Sequence, residues 1–249
     1  MDYKLEICAN SVMSCVEAQK GGAYRVELCA AIPEGGTTPS YGEIAVAQEL
    51  LDIKLNVIIR PRGGDFLYSG LEHKIMLKDI EICHKLGVDG IVIGCLTAEG
   101  DVDMQRCREL VAAAGEMDIT FHRAFDKCRD PFISLEDIIS LGCSRILTSG
   151  QQPKAEQGIG LLKKLVQQAG DRIIIMPGSG INENNIVKIA RETGAVEFHL
   201  SAREAVESKM KFKNPAVSMG GANITINEFE QLITSAQKVK ETWTILNTK

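Results

Sequence analysis

The stretch Lys85-Leu86-Gly87-Val88-Asp89-Gly90-Ile91 leaves a helical segment, passes a glycine stop and enters a β-type run. Glycine is the usual residue just past a helix end, where the backbone turns left-handed. The same hinge recurs as Ser140-Leu141-Gly142-Cys143-Ser144-Arg145-Ile146, and further helix stops fall at Gly21-Gly22 and Thr193-Gly194. Working outward from these hinges, β-type runs occur at Leu5–Cys8, Arg25–Cys29, Leu55–Arg60, Gly90–Gly94, Ile119–Arg123, Arg145–Ser149, Arg172–Met176 and Val196–Ser201. Their spacing averages about 27 residues, the length of one strand plus one crossover helix.

Helices are expected over Ser11–Lys20, from the capping box Ser69-Gly70-Leu71-Glu72 to about Leu86, from Asp130-Pro131 to Leu141, over Asn182–Glu192 and near Ile226–Lys240. Eight strand–helix units in 249 residues predict an α/β fold, a (β/α)8 TIM barrel forming a single domain over 1–249. An irregular C-terminal extension is expected from about residue 205, containing Lys211-Phe212-Lys213-Asn214-Pro215 and Met219-Gly220-Gly221. An open doubly wound sheet competes, but its Gly-x-Gly-x-x-Gly turn is missing after the first run, where Ala9-Asn10-Ser11 stands.

Composition narrows the function. Hydrophobic residues at 45% and charged residues at 24% are ordinary for a globular chain and exclude disorder. A net charge of −5 argues against a nucleic-acid partner. No apolar run approaches the roughly 20 residues of a membrane helix, and the N-terminus carries no basic and apolar leader, so a cytoplasmic protein is expected. Eight cysteines, none at Cys-x-x-Cys spacing, then read as small buried hydrophobes rather than a disulfide framework.

Strand side chains alternate between two faces. Leu5/Ile7, Val26/Leu28, Val57/Ile59, Ile119/Phe121 and Phe198/Leu200 are apolar and should face the helices. The other face collects Glu6, Arg25, Glu27, Arg60, His122, Glu197 and His199, where a plain barrel core would hold Val, Ile and Leu. Charges there are costly unless paired. Arg60, His122 and His199 fall at strand C-terminal ends, the active-site rim of such barrels. His122 and His199 are candidate acid/base groups titrating near neutral pH, with Glu6 or Glu27 as carboxylate partner. His73 and His84 lie on expected helices and read as surface residues.

Met176-Pro177-Gly178-Ser179-Gly180-Ile181 follows the seventh run and Ser201-Ala202-Arg203 the eighth. Loops at these places often bind phosphate through backbone amides. Gly178, Ser179, Gly180, Ser201 and Arg203 are therefore candidate anion binders, joined by Arg60 and Arg62 from the Gly-rich loop after the third run.

These motifs resemble the CutC family of copper homeostasis proteins, a family distinct from the choline-cleaving enzyme of the same name. The resemblance rests on Leu5-Glu6-Ile7-Cys8, Glu27-Leu28-Cys29, Glu34-Gly35-Gly36-Thr37-Thr38-Pro39-Ser40, Arg60-Pro61-Arg62-Gly63-Gly64-Asp65-Phe66, Thr120-Phe121-His122-Arg123-Ala124-Phe125-Asp126, Leu147-Thr148-Ser149-Gly150 and Glu197-Phe198-His199. Gly178-Ser179-Gly180 departs from it, since the family often has three glycines there. The resemblance implies a cytosolic barrel, often a homodimer, linked to copper handling. It also implies that Cys8 and Cys29 match a cysteine pair proposed to bind Cu(I).

The parity test agrees, because both cysteines end neighbouring strands facing inward. Glu6 and Glu27 beside them would raise a thiol's pKa. Two main readings stay open, with a non-catalytic barrel that senses a metabolite as a third. One is a copper protein using Cys8 and Cys29. The other is a barrel enzyme acting on a small anionic or phosphorylated metabolite, with His122, His199, Glu6, Glu27 and Arg60 as catalytic candidates.

Overall fold

The computed structural model describes residues 3–214, 216–217 and 227–248; Pro215, Met219-Gly220-Gly221 and Ile226 lie outside the described residues. Each expected run forms a strand: β1 (Lys4–Ala9), β2 (Arg25–Leu28), β3 (Lys54–Ile58), β4 (Gly90–Ile93), β5 (Asp118–Phe121), β6 (Arg145–Thr148), β7 (Ile174–Pro177) and β8 (Glu197–Leu200). All pair in parallel in the order β7-β6-β5-β4-β3-β2-β1-β8. A single parallel bridge between Gly178 and His199 brings the two edges together, giving a nearly closed barrel. Gly178 lets the chains pack closely at this closure: a Cβ there would lie 2.4 Å from Leu147 Cδ1, so the Leu147 side chain would have to shift.

Between the strands run α1 (Val12–Lys20), α2 (Tyr41–Leu50), α3 (Gly70–Leu86), α4 (Met104–Ala114), α5 (Pro131–Ser140), α6 (Ile159–Ala169) and α7 (Ile186–Thr193). Their ends follow local chemistry. Ser69 and Glu72 form the capping box of α3, and Gly87 ends it at φ +71°. Asp130 accepts from the Phe132 and Ile133 amides at the start of α5, where Pro131 has no amide to satisfy. Helix α7 starts at Ile186 rather than Asn182, because the Asn182 amide is held by Asn185 Oδ1 in a turn at 2.9 Å. The apolar strand faces read from the sequence, among them Leu5, Ile7, Val26, Leu28, Val57, Ile59, Phe121 and Phe198, are all fully buried in the barrel–helix core.

Two expectations are corrected. His73 is buried in α3, its ring nitrogen 2.8 Å from Glu109 Oε2 on α4; His84 is exposed as read. The helix expected near 226–240 is in part a strand, β10 (Glu230–Thr234), paired antiparallel with β9 (Arg203–Glu207) in the supposedly irregular extension. Helix α8 (Ala236–Asn247) begins only after Ser235. It lies against the end of α1, where a Cβ on Gly21 would be 2.6 Å from Val239 Cβ.

Candidate functional site

The inward faces of the strands build two polar layers. In the lower one Arg25 binds the carboxylates of Glu6 and, at 2.7 Å, Glu197. Arg145 of β6 reaches Glu197 at 3.2 Å and Thr120 at 3.4 Å. All these side chains are buried, so the charges balance one another in place of an apolar plug. The register Glu6↔Arg25 on one side and Glu6↔His199 on the other sets this arrangement. The sequence reading missed Arg145, although its outward neighbour Ile146 gave the parity signal.

Above this layer opens a cavity of about 270 Å³ at the strand C-terminal ends. Cys8, Glu27, Cys29, Arg60, His122, His199, Ser179, Gly180, Ser201 and Arg203 all line it. Arg123 and Phe66, which the sequence reading did not single out, line it as well. Glu6 does not reach the cavity: its carboxylate lies beneath, accepting from Arg25 and from His199 Nδ1–H at 2.7 Å. Arg62 is also kept away, its guanidinium engaged by Glu72, Asp65 and the Leu67 carbonyl at the mouth of the β3–α3 loop. Gly178 closes the barrel and gives its amide to the Thr148 carbonyl at 2.9 Å, so it has no N–H to offer an anion. Arg60 donates to the carbonyls of Glu34, Gly36 and Gly64 at 2.7–2.9 Å and so ties the two Gly-rich loops together.

Cys8 and Cys29 end β1 and follow β2, with sulfurs 3.5 Å apart. One oxygen of Glu27 lies with them, all three ligand atoms within 4.8 Å of one another. Arg203 of β9 donates to Cys8 Sγ at 3.3 Å. The hydrogen bond from Cys29 holds the Cys8 thiol well below its ordinary pKa against the cost of burial, with His199 and Arg203 adding to it. Cys29 is pushed up by the same hydrogen bond and by burial. The shared hydrogen bond thus drives the two apart, Cys8 toward the thiolate and Cys29 toward the thiol. This reverses the expectation from the neighbouring carboxylates, chiefly through the Cys29 hydrogen bond, with His199 and Arg203 adding to it while Glu6 turns down to Arg25. All eight cysteines are free, and only Cys8 is other than buried. Burial pushes Cys15, Cys83 and Cys143 up to about 12.

The histidines do not titrate near neutral pH as read. Burial and the nearby Arg60 push His122 down to about 3. His199 goes the other way: burial opposes its charge, but hydrogen bonds with Cys8 and Glu6 outweigh it and hold the ring well above its ordinary pKa. Burial raises Glu27 to about 8, against the pull of His199.

A sequence model of the CutC family matches residues 3–204, so that it takes in every strand of the barrel and the cavity with it. The chain belongs to the CutC family. A CutC family protein of Bacteroides thetaiotaomicron is 61% identical over 241 residues, covering 96% of each chain. The copper homeostasis protein cutC homolog of Homo sapiens is 45% identical over 238 residues, 96% of this chain and 87% of that one. The crystal structure of CutC from Streptococcus agalactiae superposes with a TM-score of 0.77 at 36% identity, over 80% of this chain and 98% of that one. Among the described residues of this CutC chain, no helix is long and apolar enough to cross a membrane.

Proposed function

We propose that this chain handles copper by binding one Cu(I) ion between Cys8 and Cys29, with Glu27 at the third side. The observation that carries this reading is the pair of free sulfurs 3.5 Å apart with a carboxylate oxygen in the same cluster. Thiolates select soft Cu(I), whereas a three-carboxylate or histidine cluster would suit harder ions. The chain's own groups prepare the site. Arg203 and His199 steady the Cys8 thiolate, and Cys29 releases its proton when the ion arrives.

An anaerobic Cu(I) titration against a competing chelator tests this. One ion per chain is expected for the natural sequence, with binding lost in the Cys8→Ser, Cys29→Ser variant. Binding that survives both substitutions would defeat the reading. The reading also takes the protein as a cytoplasmic homodimer. Reduced thiols persist in that compartment, and the β9–β10 hairpin leaves Met210, Phe212 and Leu232 exposed. Light scattering at micromolar concentration should give about twice the 27.1 kDa chain mass; a 27 kDa particle would rule the dimer out.

A further inference from the structure

We propose that the cavity at the barrel mouth also binds a small organic anion, held by Arg203 and the Ser179–Gly180 backbone and read at a carbonyl-type oxygen by His122. This goes beyond the copper reading and does not depend on it. An ion held by Cys8, Cys29 and Glu27 uses one corner of the cavity. The whole cavity, about 270 Å³, is close to the lower end of small-molecule pockets. Its other walls include Ile32, Ile58, Phe66, Leu147 and Ile181, which suit the body of an organic molecule rather than a metal.

The polar groups left over define the ligand's chemistry. Eight buried side-chain nitrogen or oxygen atoms lack a partner among the described residues. Four of them, Arg60 Nε, His122 Nε2, Arg203 Nε and Glu27 Oε1, belong to residues lining this cavity. Three of those four are nitrogens. A buried donor without an acceptor costs about 1–3 kcal/mol, so a group of them beside one cavity marks missing acceptor atoms.

His122 is the most informative. Its Nδ1 accepts from the Ala124 amide at 3.2 Å, so the proton of the neutral ring sits on Nε2. Its low pKa keeps the ring neutral. His122 is therefore a fixed N–H donor, suited to a carbonyl or carboxylate oxygen, and not a proton shuttle. Across the cavity, Ser179 is held at φ +81° by its hydroxyl, which donates to the Pro153 carbonyl at 2.8 Å. Among the described residues, neither the Ser179 nor the Gly180 amide donates to a protein acceptor. Both stand after β7, beside the arginine that follows β8, where barrels commonly hold anionic groups.

The test titrates the full chain, and separately its Cys8→Ser, Cys29→Ser variant, with two probes: inorganic phosphate and malonate. The readouts are the melting temperature and the nitrogen-detected resonances of His122. At least one probe is expected to raise the melting temperature and shift the His122 Nε2–H signal in both proteins. Arg203→Gln should weaken that probe about tenfold or more. A response to phosphate alone assigns a phosphorylated ligand, and a response to malonate alone a carboxylate. No response to either probe, or binding that ignores both His122 and Arg203→Gln, overturns the proposal.

Discussion

Arg25→Met will destabilise the fold by about 3–5 kcal/mol, the usual cost of removing one partner from a buried ion pair. Arg25 is 2% exposed and bridges Glu6 to Glu197. Methionine fills much of the same space but strands two carboxylates in the barrel interior. Arg145 and His199 compensate in part, since they reach Glu197 and Glu6 respectively. For a chain of this size the loss corresponds to a fall in melting temperature of roughly 6–20 °C. Glu81, which pairs with Lys78 and Lys85 on the surface, is the control, and Glu81→Ala should leave the midpoint unchanged within error. Equal effects of the two substitutions, measured by thermal or urea unfolding, would show that burial is not what gives the Arg25 network its weight.

The second large effect is acid sensitivity traced to His122. Its folded pKa is about 3, against an ordinary value of 6.5. Between those limits the unfolded chain takes up a proton that the folded chain refuses. The stability contributed by His122 is therefore complete above pH 6.5 and declines as pH falls, by about 1.4 kcal/mol per unit. Glu27 has the opposite sign over part of this range. Held at about 8, it is protonated in the fold and ionised in the unfolded chain down to about 4.5, so it stabilises as pH falls. A comparison with a His122 variant therefore isolates the His122 contribution from Glu27 and the other shifted groups. His122→Asn keeps an oxygen to accept from the Ala124 amide but does not titrate. The stability difference between the two proteins should shrink by roughly 2–3 kcal/mol from pH 6.5 to 4.5. A difference that stays constant over that window would mean that His122 is not a buried neutral ring.

Much of the barrel was legible because period-2 alternation is local. Each of the five strands read for parity buries its apolar side chains against helices and turns its polar ones inward. The β9–β10 pairing was not legible, since Arg203–Glu207 finds its partner only at Glu230–Thr234 and neither segment alternates on its own. His73 was misread for a different reason. The spacing did mark it, since His73, Met76, Ile80 and Cys83 form one buried stripe of α3, and only its partner Glu109 on α4 lay beyond the local pattern. In the site, inward parity found Cys8, Glu27, Cys29, His122 and His199. It had no means of telling that Arg203 would meet Cys8, because that contact spans 195 positions and exists only after the barrel closes. That contact adds to the Cys29 hydrogen bond, which is what chiefly reverses the electrostatics inferred for the thiol.

The β1–β8 seam also sets a schedule for biosynthesis. Lys4 at the head of β1 pairs with Glu197 at the head of β8, 193 residues later. At about 5–20 residues per second, a translating ribosome needs roughly 10–40 s to deliver that partner. During that interval β1 has an open edge, and Glu6 lacks the histidine that will hold it. Nascent chains of this protein therefore pass through a long stage in which their first strand is available to any other extended segment. The demand on cellular folding helpers should fall mainly on that stage.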